Sequence, residues 1–161
     1  MICRLAIARD EAEIVEMAAA GVAEAWAIHH FEPERYAAAF RASLVDPNPT
    51  FFVAEGAGGK LAGFLEAYVG EYNFTTGVFT VPHVTYVRPE KRGTRAAALL
   101  IGMFVRWSDK LGAKENIGGN SNGFRSQQTA RFLKRFGYEE VGICMKRQPS
   151  GAASCPVSLE V

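Results

Sequence analysis

Cysteine is scarce in this chain of 161 residues: Cys3, Cys144 and Cys155 are all there are, and an odd number cannot pair completely within one molecule. Reduced thiols in a cytoplasmic compartment fit that count better than a disulfide framework. No Cys-x-x-Cys and no close Cys/His pair occurs, and His29-His30 has no third ligand near it in sequence, so no metal site is expected. Charge of one sign is lacking too. Lys and Arg number 18 against 17 for Asp and Glu, a net +1, whereas a nucleic-acid footprint needs a surplus of cations on one face. Long apolar runs are also missing. Nothing approaches the roughly 20 residues of a membrane span, and the apolar stretch at residues 2–7 is short for a signal peptide and broken by Arg4. Neither nucleic acid nor membrane is an expected partner. With 48% hydrophobic and 22% charged residues, collagen-like, coiled-coil and disordered compositions are excluded.

What remains is enough apolar residue for one self-sufficient core. A single domain of this length buries roughly 70% of the surface its unfolded chain exposes, without metals or disulfides. The expected domain covers residues 1–147, and the small, polar, aperiodic stretch 148–161 reads as a flexible tail. Residues 2–7 read as a first strand. Asp10, with Glu13 three positions on, reads as a capping box opening a helix that ends near residue 28, with Ile14, Met17, Ala18 and Val22 on one stripe. Pro33 suits the first turn of a second helix, whose face carries Tyr36, Phe40 and Leu44. Residues 50–55 and 61–69 pair about Gly56-Ala57-Gly58-Gly59. Residues 78–87 form a long strand in which Pro82 demands an edge or a bulge. Leu100, Met103, Phe104, Trp107 and Leu111 give the clearest helical period, over 94–111, with Gly112 as its cap. A short strand at 115–119, a helix at 127–136 and a final strand at 138–147 complete the order β-α-α-β-β-β-α-β-α-β. The fold class is α/β of the α+β kind: one mixed, mainly antiparallel sheet flanked by helices.

The segment Val87-Arg88-Pro89-Glu90-Lys91-Arg92-Gly93-Thr94-Arg95-Ala96-Ala97 carries the most chemistry. A strand that turns through small residues into a helix start presents unpaired N–H groups and the positive end of a dipole. Arg88, Lys91, Arg92 and Arg95 add four cations at the same place. The segment is either an anion site or a helix start with solvated charges.

Residues 87–97 resemble the acyl-CoA pyrophosphate loop of the GNAT superfamily of N-acyltransferases, whose pattern is Arg/Gln-x-x-Gly-x-Gly/Ala. Here it runs Arg92-Gly93-Thr94-Arg95-Ala96-Ala97, with Arg95 where the family usually has glycine. The preceding Thr85-Tyr86-Val87-Arg88-Pro89-Glu90 is similar to the family's strand ending in Val-x-Pro-Glu. Phe132-Leu133-Lys134-Arg135-Phe136-Gly137-Tyr138 is similar to its Phe-Tyr-Glu-Lys-Leu-Gly-Phe segment. The order of elements agrees over residues 2–147.

The resemblance implies acetyl-CoA as co-substrate and a primary amine, on a small molecule or a peptide N-terminus, as acceptor. The amine would attack the thioester directly. Acetyl-CoA would lie in a V-shaped splay between two central parallel strands, one ending at Val87 and the other at residues 117–119. Main-chain groups of Tyr86, Val87 and Arg88 would pair with the pantetheine arm. The amides of Arg92, Gly93, Thr94, Arg95, Ala96 and Ala97 would cradle the pyrophosphate, and Ser126 stands where the family often has asparagine. Leu133 replaces the tyrosine that many members use as an acid, so the thiolate's proton would come from solvent or from another tyrosine such as Tyr86.

His83 is the leading base, since imidazole titrates in the useful range and a bulge at Pro82 could turn it into the cleft; it could equally cap a strand or face solvent. Glu66 and Glu71 follow, each also readable as a solvated carboxylate. Acceptor contacts are expected from Trp26, His29, His30 and Phe31 between the first helices, and from Tyr72, Asn73 and Phe74 before the long strand. Trp26 and Phe31 read equally well as a staple between helices. The alternative is a catalytically weak CoA-binding or protein-interaction module, which Leu133 favours. An exposed edge strand near the C-terminus could mediate a homodimer.

Overall fold

Thr50-Phe-Phe-Val-Ala-Glu55 carries apolar residues at odd and even positions alike, a pattern that suits a strand covered on both faces of its sheet. The computed structural model describes residues 1–25, 30–120, 123 and 125–145 and surrounds this strand accordingly. The sheet has the order β1-β2-β3-β4-β5, formed by β1 (Ile2–Leu5), β2 (Thr50–Glu55), β3 (Leu61–Glu71), β4 (Val78–Val87) and β5 (Glu115–Asn116). Phe51 and Val53 pack toward α1 (Glu11–Ala25) and α2 (Pro33–Ser43). Phe52 and Ala54 pack on the opposite face toward α3 (Ala96–Lys110) and α4 (Ser126–Lys134). The result is the mixed α+β sheet with helices on both faces that the pattern implies.

The strongest helical period becomes α3, which buries Ala96, Leu100, Ile101, Phe104 and Ser108 along one side. Gly112, with φ +65°, follows its end and adopts the left-handed conformation that glycine tolerates without strain. Within this layer the Ser108 and Thr80 hydroxyls meet at 2.7 Å, both buried, so each satisfies the other where water cannot reach. Among the described residues no helix is long and apolar enough to cross a membrane.

β1 to β4 are antiparallel neighbours, whereas β4 and β5 run parallel. Two irregularities interrupt the pairing of β4. Opposite β3, Glu66 pairs with Val84 and Ala67 with Pro82, so His83 is the extra residue of a bulge. Proline has no N–H to give the ladder, and the bulge falls beside it as expected. Opposite β5, pairing covers Phe79–Glu115 and Thr80–Asn116 and ends with the Ile117 N–H donating to the Thr80 carbonyl at 2.8 Å. Beyond that point no pairing joins β4 to the residues after β5 among the described residues, which is where the expected V-shaped splay would open.

Several expectations require correction. The strand expected at 115–119 is only two residues long, since Gly118 and Gly119 carry no side chains to pack and no strand among the described residues pairs with them. The final strand expected at 138–147 is not a strand over its described part: Val141, Ile143 and Met145 are 94%, 93% and 91% exposed and pair with nothing described. Asp10 does not open α1 as its cap. It closes a short 3-10 turn, Ala8–Asp10, and its carboxylate accepts the Ile7 N–H. Glu13 is drawn away instead to the Leu61 N–H and Arg88. The end of the first helix near residue 28 and the tail at 148–161 lie outside the described residues.

Candidate functional site

The loop between β4 and α3 is a turn of three residues, Pro89–Lys91, followed by an open stretch into Ala96. Gly93 has φ +80°, and a Cβ built there would meet nothing within 4 Å, so the backbone is accessible at this point. The N-terminus of α3 follows, with the positive end of its dipole toward the loop and the Ala96 N–H donating to the Thr94 hydroxyl at 3.3 Å.

The arginine side chains of this loop lie elsewhere than expected. Arg88 donates to Glu16 at 2.7 Å, to Glu13 at 3.2 Å and to the Leu61 carbonyl at 3.0 Å. Arg92 makes a bidentate pair with Glu24, at 2.6 and 2.5 Å, while its Nε donates to the Val87 carbonyl at 3.1 Å. Arg95 reaches the Met1 carbonyl at 2.9 Å. Glu13, Glu16 and Glu24 share one face of α1 by helical spacing, and that face lies along the end of β4. The guanidinium groups hold the Glu16 and Glu24 carboxyls below their ordinary pKa. The expected massing of four cations is therefore corrected: Arg88 and Arg92 tie the loop to α1, and Arg95 turns to the Met1 carbonyl.

Tyr86 also needs correction. Its ring is 8% exposed, packed on Gly21 with the Arg92 guanidinium 5.7 Å above it, and belongs to the α1 core rather than to an open cleft. The Arg88 N–H donates to the Ala62 carbonyl on the β3 side. By antiparallel alternation, Thr85 and Val87 then turn their main-chain groups away from β3. There the Val87 carbonyl already accepts from Arg92, and the Val87 N–H and both Thr85 groups face the β5 side.

On the α1/α2 face of the sheet, a cluster forms around Glu66. This carboxylate is 4% exposed. Tyr36 of α2 donates its hydroxyl to Oε2 at 2.9 Å, and Tyr68 donates to Oε1 at 3.0 Å. The bulge brings His83 to the same carboxylate, with Nδ1 3.6 Å from Oε1, an ion-pair contact longer than a hydrogen bond. The imidazole stands edge-on to the Tyr68 ring at 5.2 Å. Glu66 raises the His83 pKa above its ordinary value, against the half-burial that would lower it. Burial and then the Glu66 charge push Tyr36 up, and the same two causes carry Tyr68 to about 12. Among the described residues, no Lys or Arg pairs with Glu66.

The expected acceptor residues divide. Trp26 and His29 lie outside the described residues. His30 is exposed. Phe31 packs against Tyr36 at 5.6 Å, which connects it to the Glu66 cluster. Tyr72 and Phe74 touch one another at 5.4 Å at the far end of the β3–β4 hairpin, with Phe74 84% exposed. Glu71 is exposed on β3 next to Tyr72.

On the other face, Ser126 opens α4 and lines a groove of about 590 Å³ with Gly118, Leu133 and Tyr138. Leu133 is 7% exposed and packs in the α3 core. Tyr138 lies against Gly118 and donates its hydroxyl to Asn116 Oδ1; burial and then Asp109 raise its pKa to about 12.

Sequence reasoning missed Tyr36 and Tyr68 as members of this site. Tyr68 could have been found, because residues two apart on a strand share a face. Tyr36 lies 30 residues from Glu66 in the chain, and no local signal joins them.

No family model matches the chain, and none of the curated proteins is similar to it in sequence. Solved structures are similar. A Trypanosoma brucei acetyltransferase superposes with a TM-score of 0.73 at 13% identity, covering 91% of this chain and 98% of its own. A predicted acetyltransferase with acetyl-CoA from Clostridium acetobutylicum gives 0.72 at 14%, covering 91% and 94%. A transcriptional regulator from Bacillus halodurans gives 0.76 at 19%, covering 91% and 97%. The chain has a GNAT-like fold.

Proposed function

We propose that this protein is an acetyl-CoA-dependent N-acetyltransferase acting on a primary amine. The observation that carries the reading is the coincidence of two features of β4. The strand leaves β5 just where its bulge turns His83 onto the buried Glu66. Acetyl-CoA would lie in the splay, its pantetheine arm along the main chain of Thr85 and Val87 and its pyrophosphate on the amides of residues 93–97. Open backbone at Gly93 supports that assignment.

The bound thioester supplies an activated acyl carbonyl. An amine entering from the α1/α2 face meets Glu66, which attracts the ammonium form, and His83, which in its neutral form takes the proton. The freed nitrogen then forms the C–N bond, the C–S bond breaks, and the thiolate takes up a proton. A base of this kind contributes about 100- to 10,000-fold. With leucine at 133 and Tyr86 in the core, Tyr138 beside β5 is the phenol we assign to return that proton.

A second reading, a CoA-binding module with weak turnover, is favoured by the burial of Leu133 where a tyrosine acid would stand. Calorimetry with acetyl-CoA, followed by thiol release with a panel of amines, separates the two. Binding with turnover that His83→Gln lowers about 100-fold supports the enzyme. Binding without turnover of any amine supports the module. A folded protein that does not bind acetyl-CoA refutes both.

A further inference from the structure

Beyond Glu66, the α1/α2 face of the β3–β4 hairpin carries a run of rings. Residues 66, 68, 70 and 72 share that face by strand alternation, and their cross-strand partners share it with them. Tyr68 pairs with Val81 and Gly70 with Phe79. A Cβ on Gly70 would overlap the Phe79 ring, so glycine lets that ring lie across the strand. Tyr72 packs on Phe79 at 5.2 Å and on Phe74 at 5.4 Å. The strip runs from residue 66 to residue 72, about 20 Å at about 3.3 Å per residue. It begins at a buried carboxylate, and every side chain after that on this face of the hairpin pair is uncharged as far as Tyr72. There the Tyr72 hydroxyl donates to Glu115 of β5 at 2.5 Å, and Glu115 is exposed, so water screens its charge where Glu66 is shut away from solvent.

We infer that the acceptor is an elongated amine with one cationic end and an apolar, preferably aromatic, body that lies along this strip. The inference rests on the acetyltransferase reading for the site at which the amine end is held. One buried carboxylate at one end calls for one positive charge. The rings of Tyr68, Phe79 and Tyr72 call for a flat apolar body, because aromatic pairs gain from edge and offset contacts beyond area alone. Continuity is the decisive point: the His83 ring touches Tyr68 at 5.2 Å, so the strip starts at the proposed base.

The test uses phenylbutylamine, butylamine and spermidine, each titrated into the full chain by calorimetry without acetyl-CoA and then assayed for turnover. Phenylbutylamine should bind about ten-fold or more tighter than butylamine. Phe79→Ala should remove most of that advantage and leave butylamine unchanged. If Phe79→Ala does not fold by circular dichroism, Phe79→Leu, which keeps the volume and removes the ring, makes the same comparison. Equal binding of the two monoamines, tighter binding of spermidine, or an aryl advantage that survives both variants would overturn the inference. Aryl binding that Phe79→Ala abolishes, with no turnover of any amine, would leave the strip standing and remove the enzyme reading. Equal turnover and equal binding of both monoamines would do the reverse.

Discussion

Asp10 and Glu66 are equally buried, each 4% exposed, yet the fold treats their charges in opposite ways. Asp10 meets a guanidinium: Arg4 donates to both of its oxygens, at 2.7 and 2.9 Å, and the Ile7 N–H adds a third bond at 2.8 Å. Burial alone would push that carboxyl up, but Arg4 and the Ile7 N–H outweigh it and hold the pKa below its ordinary value. Glu66 meets two phenols and an imidazole that changes charge near neutrality. Burying a charge is costly unless something cancels it. At Asp10 the cancelling charge is built in, and the group joins β1, β2 and the start of α1. At Glu66 it is left for something else to bring.

The contrast can be broken most directly at Asp10. Asp10→Asn strands a part-buried arginine that keeps only Glu55 as a counter-charge beside the Leu5 carbonyl, so unfolding by urea should show a loss of about 3 kcal/mol. Catalysis per folded molecule should not change. Glu66→Gln should do the reverse. It keeps an oxygen for one phenol, turns an amide N–H toward the oxygen of the other and removes an uncancelled charge, so stability should move by less than about 1.5 kcal/mol, while kcat/KM falls about 100-fold. A stability loss at Glu66→Gln as large as that at Asp10→Asn would collapse the distinction.

Titration sharpens it further. His83 must be neutral to accept a proton, and Glu66 raises its pKa. The acid limb of kcat/KM should therefore lie above the ordinary imidazole value of about 6.5 and move down toward it in Glu66→Gln. The smallest effect is on stability against pH. A raised histidine pKa contributes stability that is complete below about pH 6.5 and fades as pH rises through the folded value. For a half-exposed group it should stay under about 1 kcal/mol. The depressed Asp10 pKa contributes stability above about pH 4 that is lost as pH falls. Glu66→Gln should flatten only the first dependence and Asp10→Asn only the second, read as the shift in urea midpoint between pH 3 and pH 8.

What the sequence made legible was mostly periodic or local. The helical stripe of α3, the strand at 50–55 and the disturbance at Pro82 each follow from residues within a dozen positions of one another. The candidate base could be named for the same reason, because proline and histidine are adjacent. The arginines were a different matter. Their number was plain, but their direction depended on Glu13, Glu16 and Glu24, about 70 residues earlier in the chain. The strand expected at the end failed because alternation of Val141, Ile143 and Met145 specifies a strand only when an edge is there to receive it. Tyr36 on Glu66 was invisible because α2 reaches β3 only through the packing of the whole α1/α2 layer.

The bulge at His83 has a consequence for how this sheet can change over time. Every other residue of β4 belongs to one of two alternating sets, and a substitution at any of them except the exposed Thr85 disturbs a packed layer. His83 belongs to neither: it is the added residue, with its side chain 63% exposed. Its side chain can be exchanged for another without shifting the register of Thr80 beneath α3 or of Tyr86 beneath α1. New chemistry can therefore be tried at this one position while the scaffold around it stays the same.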